Sequence, residues 1–205
     1  RWSERGEAVG ALSGIRVLDL TNVLSGPFCT LHLALLGAEV IKIENPKDGD
    51  LARKLGNVAR LNQELMGTSF LAQNANKKSL TLNLKSAEGK AVFRRLVATA
   101  DVVVENFRPD VMPRLGLGYP ELAASNPRLV YCGISGFGQS GPDAEKPAYD
   151  QIIQGLSGVM DVNGDERLHP LRAGFPVCDT VGGLNAAFAI MAALYHCEQT
   201  GEGQM

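Results

Sequence analysis

The sequence has little that would attract a polyanion or hold a metal ion. Basic and acidic residues nearly balance, 20 against 22, for a formal net charge of −2. Without a basic excess the chain offers no large cationic face, so we expect neither nucleic acid nor a membrane surface as a partner. The cysteines are far apart with no C-x-x-C pair, at Cys29, Cys132, Cys178 and Cys197. This spacing favours free buried thiols over a zinc site or a disulfide framework, and we expect no metal.

Long apolar runs are also missing. No hydrophobic stretch approaches the roughly 20 residues that cross a bilayer, and residues 1–12 (RWSERGEAVGAL) lack the long apolar core of a signal peptide. A cytoplasmic protein is therefore predicted. With 205 residues, 45% of them hydrophobic, the chain can bury one sizeable core. Its first residue is Arg, not Met, and we expect it to be a piece of a longer chain.

Strand-like and helix-like segments alternate along the first two thirds of the chain. The predicted strands are 15–20, 39–43, 79–84, 101–105 and 129–134. A helix is predicted from Pro27 to Gly37, a less regular one over 61–72, and another that Ser86 caps. This alternation indicates an α/β fold with a mainly parallel sheet flanked by helices. Because ligands bind at the carboxyl ends of such strands, chemistry is expected in the loops that follow them.

The last third contains a glycine-rich loop over 136–141 and one clear helix after Asp179. Apolar residues at spacings of three and four predict a buried stripe on this helix, formed by Val181, Leu184, Phe188, Met191 and Tyr195. An Asp before a helix is most often an N-cap. The same position also holds an ionised carboxylate where Gly182 and Gly183 let a ligand approach the backbone. The two interpretations are compatible.

Two common phosphate-binding motifs, G-x-G-x-x-G and G-x-x-x-x-G-K-[ST], are absent. The loop after the first strand, TNVLSGPF, still presents backbone amides at a helix N-terminus, which is a general but often only structural anion site. His32, His169 and His196 have no Ser or Cys partner typical of nucleophilic catalysis, and we interpret them as structural. Local chemistry thus predicts an α/β protein with a candidate anion-binding crevice.

Five longer motifs carry more specific information. In chain order they are VLDLTNVLSGPFCTLHLALLGAEVIKIENPKDGD, NKKSLTLNLKSAEGK, ADVVVENFRPDVMPRLGLGY, NPRLVYCGISGFGQSGP and a C-D-x-x-G-G-x-x-A-A-F helix that ends in TGEGQ. In these five motifs the sequence resembles the family III CoA-transferases, which include formyl-CoA and succinyl-CoA transferases. Alpha-methylacyl-CoA racemases share the same fold. The resemblance extends from Gly14 onward.

The resemblance implies a Rossmann-like large domain, a smaller second domain and a homodimer of interlocked chains. Family members are considerably longer than this chain. Residues 1–205 are therefore interpreted as the N-terminal portion of the large CoA-binding domain, with the small domain and the C-terminal return missing.

The same resemblance places coenzyme A, as a substrate, on the loops at the strand ends. The implied contacts are Asn22, Val23, Leu24, Ser25, Asn45, Leu82, Asn83, Leu84, Lys85, Asn106, Phe107, Arg108, Arg114, Ser135, Gly136, Phe137 and Gly138. Formyl-CoA transferase has an arginine where this sequence has Asn45. We expect Arg53, Lys77 or Lys78 to supply positive charge there instead.

The nucleophile implied by the resemblance is Asp179. Its carboxylate would attack an acyl-CoA thioester to give a mixed anhydride and free CoA thiolate. CoA would then pass to a small carboxylic acid, and the motifs look closest to transferases that use succinyl-CoA and short dicarboxylic acids.

Two alternatives stay open. An alpha-methylacyl-CoA racemase uses the equivalent aspartate as an acid-base group together with the histidine of an H-D dipeptide. Here that dipeptide is Tyr149-Asp150, which disfavours racemisation. The other alternative is a non-catalytic acyl-CoA-binding subunit.

Overall fold

A five-stranded parallel sheet organises the molecule. The computed structural model describes residues 10–205, so most of the signal-peptide prediction, made for residues 1–12, lies outside the described residues. The strands are β1 (Arg16–Asp19), β2 (Glu39–Glu44), β3 (Lys78–Thr81), β4 (Val102–Glu105) and β5 (Val130–Gly133). Their order is β3-β2-β1-β4-β5, and every neighbouring pair is parallel. The predicted α/β fold is confirmed, although β3 ends three residues earlier than expected.

Helices cover both faces of this sheet. They are α1 (Ser25–Leu35), α2 (Ala59–Gln63), α3 (Thr68–Asn74), α4 (Ala87–Val97), α5 (Val111–Arg114), α6 (Tyr119–Ala123), α7 (Asp150–Leu156) and α8 (Val177–Thr200), with a 3-10 turn over Leu51–Lys54. Ser86 caps α4 as predicted, since its hydroxyl accepts a hydrogen bond from the Gly89 amide. The single helix predicted over 61–72 is instead two short ones, α2 and α3.

Alternate strand residues form two separate cores, as the period of two along a strand requires. Val17, Val40 and Val104 pack with α1 and α8 on one face. Leu18 and Val103 pack with α4 and α6 on the other face. The sheet is therefore buried on both sides, which explains the nearly continuous apolar strands in the sequence.

The buried face of α8 is not the predicted one. Its buried residues are Gly183, Ala187, Ile190, Ala193 and Cys197, whereas in the predicted stripe Phe188 and Tyr195 are each 70% exposed. The physical reason is the close packing of α8 on α1, where a Cβ on Gly183 would already meet the Ser25 backbone. The larger apolar side chains then face away from the sheet.

By length and composition alone, α8 also meets the criterion for a membrane-spanning helix, with a mean hydropathy of 1.6 in its most apolar window. The sequence analysis did not anticipate this. A mostly buried core helix can meet the same criterion, but only 22% of this window is buried in the structure, where one face of α8 packs against α1 and β5.

The loop after β1 has an unusual conformation that two buried charges hold in place. Val23 lies in the left-handed region with φ of 68°, which is costly for a β-branched residue. Its amide donates to Asp50 Oδ1 at 3.0 Å. Asp50 Oδ2 forms an ion pair with Lys42 Nζ at 2.9 Å, and Lys42 also donates to the Thr21 carbonyl at 2.8 Å. Asp50 and Lys42 thus hold the start of the loop by hydrogen bonds to the backbone of Val23 and Thr21.

Asp50 is itself held by a second ion pair. Its amide donates to Glu44 Oε1 at 2.9 Å, and Arg53 binds both Glu44 oxygens at 2.7 Å. The Arg53 guanidinium stacks over the Phe70 ring, 3.7 Å from its centroid. Bidentate, stacked geometry of this kind fixes a carboxylate in one orientation. The chain of contacts therefore runs from α3 to the loop after β1.

Replacing Gly183 with Ala should destabilise the protein, whereas Gly182→Ala should not. A Cβ on Gly183 would lie 2.5 Å from the Ser25 carbonyl oxygen, which is backbone and cannot move aside. Overpacking of this kind costs about 1–3 kcal/mol. A Cβ on Gly182 meets only Ser25 Oγ at 3.5 Å, and Ala gains up to about 1 kcal/mol over Gly in a helix. Urea unfolding of the two variants compares them directly; equal stabilities would contradict the packing argument.

Replacing Asp50 with Ala should unfold the loop after β1 and weaken the whole domain. Removal of one partner from a buried ion pair costs about 3–5 kcal/mol because the other charge stays buried. Hydrogen exchange should show lost protection at the Val23 amide, the direct partner of Asp50. Asp48 is exposed in the same loop, so Asp48→Ala is the matched control and should stay within about 0.5 kcal/mol of the parent. An Asp50→Ala protein with parental stability and exchange would refute this role.

Candidate functional site

An open crevice of about 430 Å³ lies at the carboxyl ends of β1, β4 and β5. The chain runs outward from β1 to β2 and β3, then returns to the other side of β1 for β4 and β5. The crevice therefore sits where the strand order reverses, which is the usual ligand site of open α/β sheets. Its walls are the loops after these strands, the 144–149 segment, α7 and the first turn of α8.

Two loops of the crevice are joined across this reversal point. Asn106, after β4, accepts from the Asn22 amide and donates to the Asn22 carbonyl, both at 2.8 Å. The paired hydrogen bonds lock the β1 loop to the β4 loop. Asn106 thus acts within the protein scaffold, a use that the sequence analysis did not assign to it.

The structure brings about half of the predicted site residues together. Those that line the crevice are Asn22, Val23, Leu24, Ser25, Asn106, Phe107, Arg108, Ser135, Gly136 and Asp179. Those outside its lining are Asn45, Leu82, Asn83, Leu84, Lys85, Arg114, Phe137 and Gly138. Asn45 follows β2, and 82–85 follow β3. Asn45 and residues 82–85 therefore lie beyond the crevice, along the same edge of the sheet.

The basic residues expected to supply positive charge near position 45 already form ion pairs with other side chains. Lys77 is buried and donates to Asp19 Oδ2 at 3.0 Å and to the Thr30 hydroxyl at 2.8 Å. Arg53 holds Glu44, and Lys78 pairs with Glu39 near the start of β2. The basic residues in the crevice lining are instead Arg108 and Lys146.

Asp179 lies inside α8, not before it. The helix begins at Val177, so Asp179 is its third residue and half-buried. Within residues 10–205 its carboxylate makes no hydrogen bond, and the N-cap interpretation is wrong. Burial, and secondarily the charge of Asp150, raises the pKa of Asp179 to about 6. The result is a carboxylate of unusually high basicity that faces the crevice without a protein partner.

The N-terminus of α8 is capped by a residue from another helix. Asp150, the first residue of α7, is buried, and its Oδ1 accepts from the Cys178 amide at 2.8 Å and the Asp179 amide at 3.3 Å. The sequence analysis considered Asp150 only as the neighbour of Tyr149. The signal it overlooked is Gln154 four residues later, since an Asp-Gln pair at this spacing shares one helix face.

A second buried acid supports the loop after β4. Glu105 Oε2 accepts from the Phe107 amide at 2.8 Å, and Oε1 lies 3.3 Å from the Tyr131 hydroxyl. Burial raises the pKa of Glu105 to about 7. This acid therefore lies directly below the segment that carries Phe107 and Arg108.

The described residues contain no group of three or more His, Cys, Asp or Glu side chains that could hold a metal ion. What the crevice combines is an unbonded carboxylate, two basic side chains and the N-termini of α1 and α8. Helix N-termini favour negative charge. The arrangement is suited to a nucleophilic carboxylate acting on an anionic substrate.

Comparison with known proteins connects this site to a family. A sequence profile described as CoA-transferase family III matches residues 12–205. The chain is 46% identical over 196 residues to the succinate–glutarate CoA-transferase of Agrobacterium fabrum, covering 94% of this chain and 49% of that protein. It is 47% identical over 195 residues to the acetyl-CoA:oxalate CoA-transferase of Acetobacter aceti, covering 95% and 49%.

A solved structure agrees. The crystal structure of a CAIB/BAIF family protein from Brucella suis superposes with a TM-score of 0.88 at 40% identity, covering 96% of this chain and 52% of that one. The chain thus spans about half the length of the relatives it matches. The profile match and the curated relatives show that it belongs to CoA-transferase family III.

Proposed function

We propose that the protein moves coenzyme A from an acyl-CoA donor to a small carboxylic acid through a covalent intermediate on Asp179. The observation that carries the proposal is the Asp179 carboxylate, half-buried and free of hydrogen bonds in the described structure, at the crevice of a chain that belongs to this family. Racemisation is not favoured, because the relatives are named transferases and Tyr149 rather than a histidine lines the crevice.

The proposed reaction is a sequence of acyl transfers between CoA and Asp179. An Asp179 oxygen attacks the thioester carbonyl, the C–S bond breaks, and CoA leaves as a thiolate while a mixed anhydride forms. The thiolate then attacks the aspartyl carbonyl, which releases the donor acid and leaves CoA on Asp179 as a thioester. The acceptor carboxylate attacks this thioester and forms a second anhydride, again with loss of the thiolate. Attack of the thiolate on the acceptor acyl carbon gives the new acyl-CoA and restores Asp179.

The environment of Asp179 suits this role. Its pKa of about 6 leaves it mostly ionised at neutral pH while making it more basic than an ordinary aspartate. Because the amides of the first turn are already bonded to Asp150, the Asp179 carboxylate has no cap to break when it attacks. The coenzyme would bind along the loops after β1, β4 and β5, which line the same crevice as this carboxylate.

The acceptor is proposed to be a short dicarboxylic acid. Relatives are named for succinate, glutarate and oxalate as acids or acyl groups. A second carboxylate on the substrate would need a cation, and Arg108 and Lys146 both line the crevice. Lys146 already pairs with Asp143, which leaves Arg108 as the better candidate.

The domain organisation, assembly and location of the protein are further proposals. We propose that residues 1–205 are the N-terminal portion of the large CoA-binding domain and that the full-length protein is an interlocked homodimer in the cytoplasm. The outward stripe of α8 supports the dimer, because Val181, Leu184, Phe188 and Tyr195 are all exposed. A continuous apolar face of this kind is typical of a surface that another chain segment covers.

Replacement of Asp179 with Asn should abolish transfer without loss of fold or of CoA binding. The amide keeps the shape but cannot act as the nucleophile, and loss of a catalytic nucleophile lowers kcat on the order of 10⁴-fold or more. The assay is CoA exchange between succinyl-CoA and glutarate by the full-length protein. Hydroxylamine should trap a hydroxamate on Asp179 in the parent, identified by peptide mass, and none in the variant.

The exposed acid Asp48 provides the matched control, and Asp48→Asn should leave exchange unchanged. Thermal unfolding of Asp179→Asn should occur at or slightly above the temperature of the parent, because this carboxylate caps nothing and its raised pKa means that its charge opposes folding at neutral pH. Retained exchange in Asp179→Asn, or a hydroxamate that maps to Asp150, would show that the nucleophile has been misassigned.

The α8 stripe should determine the oligomeric state of the full-length protein. Phe188→Glu places a charge on a residue that is 70% exposed in this chain, so the variant should still fold but should lose the dimer. Light scattering at micromolar concentration measures this. Glu198→Lys, an exposed change near the end of the same helix, serves as the control and should remain dimeric. A monomeric parent, or a dimeric Phe188→Glu protein, would contradict the proposed interface.

A further inference from the structure

Helix α7 contains a fully buried side chain that is polar. Gln154 has no exposed surface. Its Nε2 donates to Asp150 Oδ2 at 2.5 Å and, more weakly, to the Phe175 carbonyl at 3.4 Å. Its Oε1 accepts from the Ala173 amide at 2.9 Å. Burial of an amide lowers stability unless the amide is hydrogen-bonded, and this one forms hydrogen bonds through both its nitrogen and its oxygen.

These bonds connect three segments that converge on the nucleophile. Gln154 joins α7 to residues 173–175, which lead into α8. Through Asp150 it also reaches the first turn of α8, because the other Asp150 oxygen accepts from the amides of Cys178 and Asp179. Every partner of Asp150 is thus an N–H donor, which is what an ionised carboxylate accepts.

We propose that Gln154 is a positioning residue for Asp179: it fixes Asp150 as the ionised cap of α8 and so holds the Asp179 carboxylate at the crevice. The proposal rests on the function proposed above, in which Asp179 is the nucleophile. Gln154 does not line the crevice and would touch neither CoA nor substrate. It acts through Asp150 and through residues 173–175.

A simpler role for Gln154 would be to fill space between α7 and the segment before α8. The two roles differ in what they require of the side chain. Space filling needs only its volume, whereas the positioning role needs the Nε2 donor that holds Asp150 Oδ2. Loss of that donor should therefore disturb the amides of Cys178 and Asp179, which donate to the other Asp150 oxygen.

Two variants of the full-length protein separate these roles. Gln154→Met keeps the length of the side chain but removes the donor, which leaves one buried Asp150 oxygen unpaired. Gln151→Met makes the same change at an exposed position of the same helix and is the control.

The first readout is the rate of hydroxamate formation on Asp179 between pH 4.5 and 8. Because the ionised carboxylate is the nucleophile, the parent rate should fall as the pH drops through about 6. Gln154→Met should lower the plateau about a hundredfold through misplacement of the carboxylate. Because Gln154 does not line the crevice, the affinity of this variant for CoA should equal that of the parent. Gln151→Met should match the parent in both rate and affinity.

The second readout does not depend on transferase activity. Hydrogen exchange at the Cys178 and Asp179 amides, which donate to Asp150, should become about tenfold faster in Gln154→Met than in the parent, and Gln151→Met should leave it unchanged. Parental exchange at these two amides in Gln154→Met, or a parental rate of hydroxamate formation, would overturn the proposal. A parent that forms no hydroxamate would instead refute the proposed function, and exchange at Cys178 and Asp179 would then still decide whether Gln154 holds the cap of α8.

Discussion

The buried ion pair between Lys42 and Asp50 sets the shape of the crevice. Desolvation makes such pairs poor sources of net stability, so its structural effect is geometric: it orients the Val23 amide and the Thr21 carbonyl of one short loop. A left-handed non-glycine residue costs about 1–3 kcal/mol and persists only where its surroundings impose it. The Asn106 side chain joins this loop to the β4 loop. The ion pair of Lys42 and Asp50 therefore determines the conformation of both loops in the crevice wall.

Two carboxylates share the N-terminus of α8, and their surroundings assign them different roles. Asp150 is buried and saturated with N–H donors from the helix it caps and from Gln154. Asp179 is half-buried, has no such donor in the described structure, and feels the charge of its neighbour. Placing one acid as the fixed cap leaves the other free to react and more basic than usual. This is the general way in which a pair of acids is divided between structural and chemical tasks.

The sequence predicted the sheet and the position of the crevice because both depend on local patterns. Apolar runs such as VLDL and VVVE identify strands, and parallel strands place their following loops at one edge. The cap of α8 was not predictable in this way, since Asp150 is 28 residues from Cys178 in the chain. The buried face of α8 was mispredicted because the helix has two apolar faces, and spacing alone does not distinguish the one with Gly183 and Ala187 from the one with Leu184 and Phe188.

Those two faces give α8 a double role in the proposed assembly. Its small residues allow the close approach to α1, where a Cβ on Gly183 would meet the Ser25 backbone, and this contact places the first turn beside the β1 loop. Its large apolar residues face outward and are proposed to be covered in the dimer. The helix that carries Asp179 is therefore held by the sheet on one side and by the proposed partner on the other. Burial of the outer face would further restrict the helix, so assembly and the placement of the nucleophile would be coupled through one rigid element.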